Sequence, residues 1–423
     1  MNNFPFLLSH TAELLDLWMA EGNNTPADIL RRHFFHERPY LGARDRRFID
    51  FLYFDIIRNL RLYRWQVREN GSGDEPESAI LTVHAFFVRF PGQAQDLTFK
   101  IEDLTAELFR RYAYRNIFPE DPAVRYSLPE TLWQHIRDTY PAVQLEACLQ
   151  QLLEPSQMHI RVNSLKSSPE KLRQEMATIP FQEGRISPSA LRCEQYQRLD
   201  SHPLFRGGYF EFQDESSQLT AFACAPREND TVIDLCAGAG GKSLHLATLK
   251  KDRGTVIATD IAPRRMEELR RRVKRAGLRS VRCLTLKRLK QDYMGKADLL
   301  LIDAPCSGSG VYGRHPGRKW ELNTQKLNDY CRIQEEILDE YAGLLKTGGS
   351  LVYATCSIIP EENAMQINRF LKKHPNFRPQ SLEPAFREYQ IPLSFPDPPF
   401  MRQILPQEFH SDGFFIAKTI KTS

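Results

Sequence analysis

Residues 231–249 read TVIDLCAGAGGKSLHLATL. A short β-branched and apolar run ends at Asp234, and Gly238, Gly240 and Gly241 follow before a stretch with helical composition. This is a strand, a tight turn and an immediate helix. Glycine lets the backbone approach a ligand closely, and a helix start leaves N–H groups free to meet one. Two phosphate-binding loops are excluded by single positions. A G-x-G-x-x-G loop needs glycine where Ser243 stands, and a P-loop needs glycine where Cys236 stands. What remains points to a nucleoside-containing ligand.

Working outward, GTVIATD (254–260), VRCLTL (281–286), ADLLLIDAP (297–305) and SLVYATC (350–356) are further short apolar runs. PRRMEELRRRVKRAG (263–277) and TQKLNDYCRIQEEILDEYAGLLK (324–346) lie between them with helical period. Strands alternating with helices predict a parallel sheet covered by helices, with ligands beyond the carboxyl ends of its strands. Upstream, HIRVNSL (159–165), SPEKLRQEM (168–176) and GGYFEFQ (207–213) read as strand, capped helix and strand, a small α+β piece. Residues 7–18, 48–62 and 104–111 carry helical periodicity, NGSGDEPES (70–78) is a loop, and prolines at 119, 122, 129 and 141 punctuate the rest. The predicted organisation is α/β with three parts: an all-helical domain over 1–145, a small α+β subdomain over 146–225, and a Rossmann-like core over 226–423.

The 423 residues suffice for two to four domains. No run approaches the ~20 apolar residues that span a bilayer. MNNFPFLLSHTAELLDLW lacks a basic start and a cleavage site, so no secretory signal is expected. The eight cysteines contain no C-x-x-C pair. That argues against a zinc ribbon or a disulfide scaffold, and for a reducing cytoplasm with no metal. Net charge is only +4, but residues 31–68 carry ten Arg against four acids and residues 264–290 carry twelve Lys/Arg against two. Solvated helix faces explain either run alone. Two together favour a polyanion partner.

The strand ends hold the chemistry. Asp260 sits about 20 residues past the glycines, where an acid accepts from ribose hydroxyls or caps the next helix. DAPCSGSG (303–310) and ATCS (354–357) end two strands that should be neighbours. A lone cysteine is usually a small buried hydrophobe. Two at equivalent strand ends suggest a thiolate nucleophile and a partner thiol.

Those segments, with DLCAGAGGKSLHLA (234–247), Asp260 and YATCSIIPEEN (353–363), resemble the motifs of S-adenosylmethionine-dependent RNA cytosine-5 methyltransferases, the bacterial rRNA and Nop2/Sun type. RVNSLK (161–166), GYFEFQDESSQL (208–219), RHPGRKW (314–320) and SDGFFIAK (411–418) extend the resemblance over roughly 158–419. DRRFIDFLYFDIIRNLRL (45–62) resembles, more weakly, a NusB-like RNA-binding domain.

The resemblance implies methyl transfer from S-adenosylmethionine to carbon 5 of an RNA cytosine. Cys356 would be the nucleophile on carbon 6, Cys306 would assist release, and Asp303 would hold the base edge. Cofactor contacts would come from Cys236, Ala237, Gly238, Ala239, Gly240, Gly241, Lys242, Asp260 and Asp303, with Lys242 also near the base. Arg265 belongs either with them or with the basic face. RNA contacts would come from Arg44, Arg46 and Arg47, and from Arg161, His315, Lys319 and Trp320. The N-terminal resemblance leans toward small-subunit rRNA, with tRNA the other candidate and a monomer favoured. In one place the sequence departs from the pattern. Many members carry an Asp after the third strand for the adenine amino group, whereas VRCLTLKRLKQD (281–292) offers Thr285, Leu286 and Lys287, and its first acid is Asp292. A backbone group or Asp292 would take that place, or adenine would be held loosely. The competing hypotheses are a non-catalytic RNA-binding or ribosome assembly factor that keeps the fold, and a methyltransferase acting on protein or small molecules. The two cysteines argue against both.

Overall fold

The computed structural model describes residues 4–21, 25–69, 77–91, 117–194, 197–397 and 399–423. The periodic stretch at 104–111 and most of the loop at 70–78 lie outside them. Two compact units emerge. One comprises residues 1–138, 152–154 and 312–323, and the other comprises 139–151, 155–311 and 324–423.

The first unit contains α1 (Phe4–Ala20), α2 (Ala27–Glu37), α3 (Ala43–Glu69) and α4 (Ser78–Arg89). Their apolar stripes meet in one core that includes Leu14, Phe34, Ile49, Ile56 and Phe86. Within α3 the backbone leaves helical values at Asn59, whose side-chain amide donates to the Asp55 carbonyl and carboxylate. An amide competing for backbone partners explains the kink. Asp55 is buried and also accepts from Tyr63 and Arg89, so its charge is paired.

The second unit holds two sheets. The smaller is antiparallel, in the order β2-β3-β1-β4, with β1 Met158–Val162, β2 Gln182–Glu183, β3 Ala190–Cys193 and β4 Phe210–Phe212. The capped helix expected nearby runs over Pro169–Glu175, and Ser168 Oγ accepts from Lys171 N. The larger sheet runs β10-β12-β9-β8-β5-β6-β7, with β11 paired to β12. Its strands are β5 Thr231–Asp234, β6 Thr255–Ala258, β7 Val281–Cys283, β8 Ala297–Asp303, β9 Leu345–Thr355, β10 Phe377–Pro379, β11 Met401–Ile404 and β12 Phe414–Lys421. β7, β6, β5, β8 and β9 are parallel, and β12 pairs antiparallel with β9 and with β10 and β11 beyond it. All five strands read from the sequence are present, in a Rossmann-like methyltransferase core. Both faces are covered, so Val232, Ile233, Leu300, Leu301, Leu351 and Val352 are fully buried.

VRCLTL is shorter as a strand than expected. β7 stops at Cys283, and Thr285 caps a helix over Leu286–Tyr293. The two Gly-flanked basic and amphipathic stretches form the helices Pro263–Ala276 and Thr324–Tyr341. Among the described residues no helix is long and apolar enough to cross a membrane.

Candidate active site

The glycine turn after β5 is held from three sides. Asp260, beyond β6, accepts from Gly238 N at 2.9 Å and from Ala262 N at 2.8 Å, so it braces the loop and the approach to the next helix together. Arg272 donates to the Ala239 carbonyl at 2.9 Å, and Arg161 donates to the Gly241 carbonyl. The helix Gly241–Leu249 starts at once, and Ser243 Oγ donates to Asp234 at 2.6 Å. Gly240 adopts φ +90°, and a Cβ there would lie 2.6 Å from Leu269 Cγ. Gly240→Ala should therefore cost about 1–3 kcal/mol from strain and overpacking, read as a lower urea midpoint at unchanged slope. An unchanged midpoint would show that the loop tolerates a side chain.

These residues fit a nucleoside cofactor. A Cβ at Gly238 would meet nothing within 4 Å, so the backbone is open there. Asp234 is fully buried, and its Oδ1 has no partner among the described residues. Burial pushes its carboxyl up to about 7. Arg265 is largely exposed, with its guanidinium 3.9 Å from Asp260.

At the end of β8, Asp303 pairs with Lys242 at 2.6 Å. Burial disfavours the ammonium, but the Asp303 carboxylate outweighs it and raises the Lys242 pKa. Beyond Asp303 and beyond β9, the sulfurs of Cys306 and Cys356 lie 3.4 Å apart. Adjacent parallel strands bring them together, with Asp303 opposite Ala354 in the ladder. The hydrogen bond with Cys356, then burial, then charge hold the Cys306 thiol well above its ordinary value. Among the described residues no group of three or more His, Cys, Asp or Glu could hold a metal.

Several residues expected to touch RNA have other work. Arg161 is 2% exposed and serves the glycine loop and Gln213. Lys319 is buried, and its ammonium donates to the Arg58 carbonyl. Trp320 Nε1 donates to the Ile57 carbonyl at 2.7 Å, and its ring packs on the helical core. The segment 312–323 belongs to the helical unit for this reason. His315 pairs with Asp28 at 3.2 Å. Arg46 donates to the Leu41 and Arg38 carbonyls, whereas Arg44 and Arg47 are exposed. The basic run 264–290 also divides. Arg272 and Arg275 pair with Glu211, and Lys290 pairs with Glu340. Arg264, Arg265, Arg270, Lys274, Arg279, Arg282, Lys287 and Arg288 face solvent. Asp292 lies on the helix Leu286–Tyr293, six residues or about 9 Å along the axis beyond Leu286.

Sequence reasoning did not find the Arg272–Glu211 bracing or the buried carboxylate of Glu362, which lies under both cysteine loops. Both sit in the quoted motifs, but pairing and burial are tertiary properties.

The chain is similar to known proteins in sequence and in fold. Residues 221–420 match the family model for 16S rRNA methyltransferase RsmB/F, and residues 128–200 match its ferredoxin-like domain. The chain is 35% identical over 319 residues to the probable ribosomal RNA small subunit methyltransferase B of Bacillus subtilis, covering 71% of this chain and 69% of that protein. The crystal structure of PH0851 superimposes over all of both chains with TM-score 0.80 and 25% identity. NSun6 from Pyrococcus horikoshii, solved with SFG, shares the fold with TM-score 0.61 and 22% identity over 70% of this chain and 98% of its own. The chain belongs to the 16S rRNA methyltransferase RsmB/F family, whose members are S-adenosylmethionine-dependent methyltransferases.

Proposed function

We propose that the chain methylates carbon 5 of a cytosine in ribosomal RNA, with a transient bond between Cys356 and carbon 6 of the ring. The observation that carries this is the 3.4 Å approach of the Cys306 and Cys356 sulfurs beside the Asp303–Lys242 pair. Carbon 5 of cytosine is a poor nucleophile. Addition of the Cys356 thiolate at carbon 6 makes the ring an enamine, and carbon 5 becomes electron-rich. S-adenosylmethionine supplies an electrophilic methyl group. The glycine turn and Asp260 hold the donor, in line with the open backbone at Gly238. Asp303 accepts from the amino group on the base edge and orients the ring, and the Lys242 ammonium paired with it offsets the negative charge that builds on addition. The adduct then loses the proton on carbon 5 and expels the Cys356 sulfur. Cys306 assists that release.

Ribosomal RNA is favoured by the names of the relatives and by the family model. The exposed cations from 264 to 288 suit a phosphate backbone. Arg264, Arg270 and Lys274, all changed to Gln, should lower the slope of log affinity against log salt by about 2–3 while kcat stays unchanged. An unaltered slope would move RNA to another face. The function is tested by incubating the chain with small-subunit rRNA and methyl-labelled cofactor, followed by nucleoside analysis. Label in 5-methylcytidine supports the proposal. Label in another nucleoside or in protein refutes it.

A further inference from the structure

Beneath the two thiols lies a buried carboxylate that the steps above do not use. Glu362 is fully buried. Its Oε1 accepts from Ser307 N at 2.7 Å and from Gln334 Nε2 at 3.1 Å. Its Oε2 accepts from Ser307 Oγ at 2.5 Å and from Ser357 Oγ at 2.6 Å. Four donors fill the acceptor sites of an ionised carboxylate. Ser307 and Ser357 directly follow Cys306 and Cys356 in the chain. The preceding residues are held from the same place. Gln334 also donates to the Pro305 carbonyl at 2.9 Å, and Thr355 Oγ1 donates to Asn363. Tyr353 donates to the Glu362 carbonyl and fixes its backbone. Each cysteine is thus bracketed on both sides by one buried network centred on Glu362.

We propose that Glu362 is the positioning residue of the thiol pair, tying the loop that carries Cys306 to the loop that carries Cys356. This rests on the reading that the pair performs the methyl transfer. The charge of Glu362 adds a second effect. After the hydrogen bond with Cys356 and burial, it adds to what disfavours a thiolate at Cys306. One carboxylate therefore ties the two cysteine loops together and weighs against ionisation of the Cys306 sulfur.

The test uses the full chain as Glu362→Gln and Glu362→Asp. Two quantities are read at one fixed pH: iodoacetamide labelling of each cysteine, resolved by mass spectrometry, and methyl transfer to RNA. In the parental chain Cys356 should label before Cys306. In E362Q that preference should fall by about tenfold. Its kcat should fall on the order of 10–100-fold at unchanged KM for RNA. E362D, which keeps the charge, should restore the preference. Unchanged labelling order with kcat within about twofold of parental overturns the proposal, including when the unfolding temperature drops, since that is what a merely structural role would give. If neither variant folds, Ser307→Ala with Ser357→Ala removes two donors, and kcat should fall about tenfold. An unchanged kcat there overturns the proposal. Labelling needs neither RNA nor cofactor, so a failure of the covalent reading, seen as an active Cys356→Ala protein, is distinguishable from a failure of this one.

Discussion

Cys356→Ala protein should fold and bind RNA as the parental chain does, and should transfer methyl groups at least about 10⁴-fold more slowly. That factor is about 5 kcal/mol of lost transition-state stabilisation. The expectation is large because the thiolate does not merely assist. Without its addition to carbon 6, carbon 5 has no electron density to offer the methyl group, and binding alone does not supply it. The substitution removes one heavy atom from a half-buried position just past β9, so little stability is lost, and an unfolding midpoint near the parental one accompanies the loss of transfer. Single-turnover transfer of labelled methyl, with RNA affinity measured in parallel, checks it. A residual rate within about tenfold of parental would show that the nucleophile lies elsewhere.

Cys306→Ala should behave in the opposite way. Addition and methyl transfer still occur, but expulsion of Cys356 slows, so protein and RNA accumulate as one covalent species. The 3.4 Å approach of the two sulfurs supports this division. A thiol that near is placed to serve the release step, and its hydrogen bond with Cys356 and its burial hold its proton in place. A denaturing gel run after incubation with RNA and cofactor should show a slower band that disappears on ribonuclease treatment. Turnover should fall by at least about 10²-fold, because each enzyme molecule is consumed once. Wild-type turnover with no band would assign release to another group.

How much of this was legible in the sequence follows from what each signal depends on. The parallel core was legible because its strands are continuous apolar runs buried on both faces, and the glycines at 238, 240 and 241 mark the turn by a backbone property. The paired cysteines were legible because each follows closely on the carboxyl end of an apolar strand. The boundary of β7 was not, since Leu284, Thr285 and Leu286 suit either a strand or a helix start. Thr285 decides it by capping, accepting from Arg288 N. Charge misled most. Arg161 and Lys319 read as RNA contacts and Arg272 as part of a basic run, yet each donates to a backbone carbonyl inside its own unit. A cation that staples a loop and one that meets RNA are the same letter. Only the neighbours contributed by distant sequence, Glu211 on β4 above all, tell them apart. The segment 312–323 shows the same limit, for its place with the helical unit depends on Trp320 and Lys319 finding the carbonyls at the kink of α3.

The most direct test is to map the link itself. Cys306→Ala protein is incubated with rRNA and cofactor, digested with protease and nuclease, and analysed by mass spectrometry. The account predicts a methylated cytidine nucleotide attached to the peptide that carries Cys356, at that sulfur. A nucleotide on any other residue, or intact unlinked peptide 356 beside fully methylated RNA, would contradict it.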